Sequence, residues 1–102
     1  YEIVLRAQQA GINAVAPHAT FKAVRDAVER EITIGLLNVG LLHGDLEELI
    51  QQFACRKFYM HSFGHWVGLD VHDVGIKDKD GQYLMCELDP GMVITMEPGI
   101  YI

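Results

Sequence analysis

The chain is short of cysteine, of basic residues and of long apolar runs, and each shortage closes off a class of protein. Its two cysteines, Cys55 and Cys86, lie far apart and form no C-x-x-C pair or evenly spaced set. A disulfide scaffold is therefore a poor reading, and free thiols in a reducing compartment are the better one. Eight lysines and arginines stand against fourteen aspartates and glutamates, a formal net charge of −6. The basic residues are scattered, so there is no stripe to meet nucleic acid or an anionic membrane surface. No apolar run approaches the roughly 20 residues needed to cross a bilayer, and no signal-peptide pattern is present. The expectation is a cytoplasmic protein with neither nucleic acid nor membrane as partner.

What the chain does have is hydrophobicity. Half of its 102 residues are apolar, enough for a real core and too many for disorder. The length fits one domain or a piece of one. The start at Tyr1-Glu2 without methionine, and the end at Ile100-Tyr101-Ile102 just after a turn, lead to the expectation of a piece cut from something longer.

Ile3, Val4, Leu5, Ala7, Ala10 and Ile12 among polar neighbours predict a helix of about three turns over residues 1–14. Gly11 and Asn13 weaken its end, and Pro17 sets a helix boundary near Ala16. Thr20 suits the N-cap of a stronger second helix. There Phe21, Val24, Val28, Ile32, Leu36 and Val39 recur at spacings of three and four as one apolar stripe. Arg25, Asp26, Glu29 and Arg30 fill the opposite face, which reads as solvated. Gly35 suits fraying or close packing, and Gly40 a C-terminal stop. Asp45 with Glu48 has capping-box spacing, ahead of a short helix whose apolar face is Leu46, Leu49, Ile50 and Phe53.

From Arg56 the helical period is lost, and extended strands and loops fit better. Residues 75–82, charged and bounded by glycine, read as a surface loop. Tyr83 to Cys86 suits a short strand, Asp89-Pro90-Gly91 a turn, Met92 to Met96 a strand, Pro98-Gly99 a turn, and Ile100 the start of a last strand. The chain holds no internal repeat.

Chemistry concentrates in the second half. His61, His65 and His72 fall within twelve residues, interleaved with Gly64 and Gly68. The spacing of His61 and His65 mimics the helical zinc motif H-E-x-x-H, but Ser62 stands where its Glu belongs and Gly64 interrupts it. In a strand, His61 and His65 would share a face, and His72 would need a bend at Gly68. Each histidine alone is ordinarily structural; three together among glycines point to a site. Glu97 follows the apolar run Met92 to Met96 and precedes Pro98-Gly99. At the end of a buried-type strand, a carboxylate must coordinate a metal or meet a cation, unless it turns to solvent. Asp70 and Asp73 suit either orienting His72 or plain surface turns. Phe63 and Trp66 suit either a pocket wall or core. His18 and His43, at helix boundaries, have no assigned role.

The run Met60-His61-Ser62-Phe63-Gly64-His65-Trp66-Val67-Gly68-Leu69-Asp70-Val71-His72-Asp73-Val74-Gly75 resembles the pita-bread metallopeptidases, and among them the Xaa-Pro aminopeptidases. Leu88-Asp89-Pro90-Gly91 through Tyr101-Ile102, with Glu97-Pro98-Gly99, and the helical stretch before Phe53 are similar too. The resemblance covers essentially the whole chain, with bacterial cytosolic members looking nearest. It implies an α+β fold with helices packed on a curved, mostly antiparallel sheet. On that plan residues 1–102 are part of a catalytic domain, helical over about 1–55 and strand and loop over about 56–102.

The resemblance also implies a dinuclear divalent centre, manganese by preference, in which His65 is a metal ligand and Glu97 is both ligand and general base. His61 and His72 would position the substrate and stabilise the transition state. The substrates implied are peptides with proline in second position. Of the family's five ligands, two aspartates would precede Tyr1 and a second glutamate would follow Ile102, so the piece alone would bind metal weakly and be inactive. Ser62 departs from the glycine common at that place. Exposed strand edges would favour a homo-oligomer. Prolidase or another pita-bread peptidase, and a non-catalytic binding module of the same fold, are the alternatives.

Overall fold

The computed structural model describes residues 1–67 and 86–102. Three helices come first: α1 (Glu2–Ala14), α2 (Phe21–Asn38) and α3 (Leu46–Gln51), followed by a short 3₁₀ turn, Ala54–Lys57. Helix α1 ends at Ala14 with Val15 extended, just ahead of Ala16, where Pro17 disfavours the helical conformation. Gly11 lies within the helix, which runs on to Ala14. It is buried, and a Cβ there would press on the Met96 side chain and stand 2.7 Å from Val28 Cγ2. Gly35 makes the matching approach from α2, where a Cβ would meet Ile3. The two glycines let α1 and α2 close on each other and on the Met96 segment.

Helix α2 is organised by the predicted stripe. Phe21, Val24, Val28, Ile32 and Leu36 are completely buried, each stabilising the fold by about 1.5–3 kcal/mol. Thr20 caps it, its hydroxyl accepting from the Ala23 amide at 3.1 Å. At the other end Gly40 takes φ +80°. Its amide donates to the Leu37 carbonyl and that of Leu41 to the Leu36 carbonyl, the paired bonds of a Schellman stop. Val39, expected in the stripe, is the cap residue instead and is exposed.

The predicted solvated face of α2 also needs correction. Glu29 is buried, and Arg56 donates to its carboxylate from Nε and Nη2, each at 3.0 Å. The 3₁₀ turn accounts for this: helical geometry persists to Lys57, past the expected loss at Arg56, and carries Arg56 back over α2. Phe53 starts the turn with φ +53°, and the Arg56 guanidinium lies 4.0 Å over its ring. Asp45 caps α3 by accepting from Glu48 N at 3.1 Å. None of the residues of α3 is fully buried.

Beyond the helices, the core is completed by Cys55, Tyr59, Phe63, Trp66 and Leu88. Trp66 stacks on Phe21 with centroids 4.6 Å apart, and Phe63 tilts against the same ring. Of the two readings open for this pair, core packing is the observed one. Antiparallel pairing among the described residues is sparse. Residues 18–21 pair with 86–88 around Thr20 and Glu87, and 63–67 pair with 93–97 around Trp66 and Ile94. The expected loop over 75–82, most of the strand at 83–86, Asp70, His72 and Asp73 lie outside the described residues. Both cysteines are free thiols, Cys55 buried and Cys86 partly so. Among the described residues, no helix is long and apolar enough to cross a membrane.

Candidate metal centre

The pairing of 63–67 with 93–97 brings the two chemistry-bearing stretches together in one register. Val67 N donates to Val93 O at 2.9 Å, Thr95 N to His65 O at 2.8 Å, and Glu97 N to Phe63 O at 2.6 Å. In every pair the residue numbers advance on one strand as they retreat on the other, so the alignment does not slip. Gly64 permits it: a Cβ there would collide with the Thr95 carbonyl oxygen and lie 2.8 Å from its carbon. Alternation then divides the 93–97 strand. Ile94 and Met96 pack on the core, and Thr95 and Glu97 share the opposite face.

On that face Glu97 Oε1 lies 3.0 Å from His65 Nε2 and accepts from the Thr95 hydroxyl at 2.9 Å. His65 Nδ1 lies 2.8 Å from the Trp66 carbonyl oxygen. A carbonyl can only accept, so Nδ1 carries a proton and directs the Nε2 position at the carboxylate. Two electron-pair donors then face each other, and a proton or a metal ion must sit between them. Two metal–ligand bonds of about 2.1 Å at a right angle span about 3 Å, so the observed separation suits neighbouring ligands of one ion. Among the described residues, no third histidine, cysteine or carboxylate joins this pair.

Glu97 is not the buried carboxylate its apolar run suggested. Its side chain is 55% exposed, because the strand has one open face, where Val93 is exposed as well. Its nearest ring partner is His65.

His61 precedes the paired stretch, so strand alternation does not relate it to His65. Its Nδ1 lies 2.6 Å from Ser62 O and its Nε2 3.1 Å from the Tyr101 hydroxyl. The Ser62 carbonyl fixes the proton on Nδ1, so the Tyr101 hydroxyl donates to Nε2. Gly99 lies beside this contact, where a Cβ would stand 3.3 Å from His61 Nε2. Tyr101 is held in turn by its amide, which donates to Phe58 O at 2.7 Å. His72 falls outside the described residues. His18 is exposed and pairs with Glu87 at 3.1 Å, and His43 is exposed.

Two residues of this region escaped the sequence reading. Thr95 had a usable signal, since it lies two positions before Glu97 in a strand and must share its face. Tyr101 had only its place after a Pro-Gly turn, which gives no hint of a histidine forty positions earlier.

The comparisons with known proteins follow the same lines. The family model of metallopeptidase family M24 matches residues 1–102. The Xaa-Pro aminopeptidase of Haemophilus influenzae is 52% identical over 102 residues, covering 100% of this chain and 23% of that protein. That of Escherichia coli is 44% identical over 102 residues, covering 100% of this chain and 22% of its own. The chain thus spans under a quarter of the length of these relatives. Aminopeptidase PepP of Pseudomonas aeruginosa superimposes with a TM-score of 0.91 at 48% identity, over 100% of this chain and 23% of that one. A zinc-substituted aminopeptidase P of Escherichia coli in complex with product gives 0.88 at 44% identity, over 100% and 22%. Matched from its first residue to its last, in sequence and in backbone, this chain belongs to metallopeptidase family M24.

Proposed function

We propose that these residues are part of the catalytic domain of an Xaa-Pro aminopeptidase, a metal-dependent hydrolase that releases the N-terminal residue from peptides with proline in second position. The observation that carries the reading is the facing of His65 Nε2 and Glu97 Oε1 at 3.0 Å, with the imidazole proton drawn to the Trp66 carbonyl. The names and identities of the relatives support the substrate class. The domain plan is helical over about 1–55 and strand and loop over 56–102, on a curved antiparallel sheet completed outside this stretch.

His65 and Glu97 would hold the metal, a dinuclear divalent centre of manganese type whose remaining ligands lie outside these residues. When bound, it supplies Lewis-acid polarisation of the scissile carbonyl and acidifies water. Glu97, half open to solvent, takes the proton of the attacking water. His61 and His72 position the peptide and face the developing oxyanion. With Nδ1–H held by the Ser62 carbonyl and Nε2 accepting from the Tyr101 hydroxyl, His61 donates to an oxyanion only after Tyr101 is displaced and Nε2 gains a proton. The setting is cytoplasmic, consistent with two free thiols, and the protein is a homo-oligomer.

The test is turnover of an Xaa-Pro peptide and metal analysis on the full-length protein. His65→Ala and Glu97→Ala are each expected to abolish turnover, and wild-type rates in either would overturn the assignment. Residues 1–102 alone are expected to bind manganese weakly and turn over nothing.

A further inference from the structure

We propose that Thr95 is a positioning residue for the metal ligands, its hydroxyl acting as a clamp between the His65 backbone and the Glu97 carboxylate. The proposal rests on the reading of His65 and Glu97 as ligands.

Three contacts converge on this residue, two of them on its hydroxyl. The His65 amide donates to Thr95 Oγ1 at 3.0 Å, the hydroxyl donates to Glu97 Oε1 at 2.9 Å, and the Thr95 amide donates to the His65 carbonyl at 2.8 Å. In a regular antiparallel pair, the His65 amide would return its bond to the Thr95 carbonyl. Here the side-chain oxygen has taken that place. The hydroxyl is thereby drawn into the ladder and its direction is fixed by the strand pairing.

A threonine hydroxyl has one proton to give. Two acceptors compete for it: Glu97 Oε1 at 2.9 Å and the His65 carbonyl at 3.5 Å. The nearer acceptor is also the charged one, and charge-assisted bonds are the stronger. The carbonyl already receives the Thr95 amide, so the proton goes to Glu97. Oε1 is therefore held on the side of His65 Nε2, and the carboxylate of an otherwise half-exposed side chain loses its rotational freedom before any metal arrives. One hydroxyl thus fixes the backbone of the first ligand and the side chain of the second.

Calorimetric titration of manganese alone into the chelator-stripped full-length protein tests this without relying on turnover. Thr95→Val keeps the shape and removes the hydroxyl; its affinity is expected to fall about 10–100-fold, the usual effect of losing a hydrogen-bond partner of a metal ligand. Thr95→Ser keeps the hydroxyl and is expected to stay within about threefold of wild type. Wild-type affinity in Thr95→Val, or equal loss in both variants, would overturn the clamp. His65→Ala and Glu97→Ala are titrated in parallel. If neither weakens manganese binding, the ligand reading itself fails, which is a different result from a clamp that fails while both ligand variants lose the metal.

Discussion

Gly64 and the Thr95 carbonyl are packed so closely that no side chain fits between them, and this contact sets the spacing of the two strands that carry His65 and Glu97. The atom in the way is backbone, which cannot swing aside as a side chain would. Gly64→Ala is expected to destabilise the full-length protein by about 1–3 kcal/mol through overpacking. It should also weaken manganese binding, because the strands separate where the ligands face. Urea unfolding and calorimetry check the two effects; an Ala variant unchanged in both would show that the pairing tolerates a wider gap.

Breaking the pair between Arg56 and Glu29 leaves a carboxylate with 9% of its side chain exposed and no counter-charge. Arg56 itself is 44% exposed, so the loss is smaller than for a fully buried pair. Arg56→Ala is expected to cost about 2 kcal/mol by chemical denaturation, part of it the packing of the guanidinium on Phe53. Glu29→Gln with Arg56→Ala should recover some of that loss, since the amide needs no counter-charge. A double variant no better than Arg56→Ala alone would refute this account.

The Tyr59 hydroxyl is buried without a hydrogen-bond partner among the described residues. Burial, with the nearby charge of Glu29, pushes its ionisation well above the usual tyrosine value of 10.0. Unfolded tyrosine therefore releases its proton first, and the native state loses stability as pH rises past 10. Tyr59→Phe is expected to flatten that alkaline decline. It should also leave neutral-pH stability unchanged or raise it by up to about 1 kcal/mol, because an unsatisfied hydroxyl is removed. Thermal melts from pH 7 to 11 measure both, and a destabilised Phe variant at neutral pH would mean the hydroxyl is satisfied in solution.

Gly40 stops α2 with φ +80° and has open space around it. The penalty for a side chain there is conformational rather than steric. Gly40→Ala is expected to cost about 1 kcal/mol and Gly40→Asn less, since asparagine tolerates the left-handed region. Equal stability of the two variants would argue against a conformational origin.

Helix boundaries were legible because their causes are local. Pro17, the Thr20 cap, Gly40 and the Asp45 cap each act within a few residues, and the stripe from Phe21 to Leu36 repeats with the helical period. Glu29 was misread for the opposite reason. Its place on α2 says solvent, and only the 3₁₀ turn that returns Arg56 over the helix makes it interior. For Glu97 the apolar run suggested burial, whereas within residues 1–102 its side chain is 55% exposed.

By itself the sequence determined the helices, their caps, the clustering of His61, His65 and His72, and a carboxylate at Glu97 worth examining. It also carried the family likeness, since these motifs are contiguous. Only the tertiary structure decided that His65 and Glu97 face each other, that Thr95 joins them, and that His61 turns to Tyr101. The reason is register. Strand pairing couples residues thirty or forty positions apart, and a shift of one residue would send every side chain to the other face. No local preference encodes that alignment; close packing at Gly64 and the core beneath Trp66 and Ile94 do.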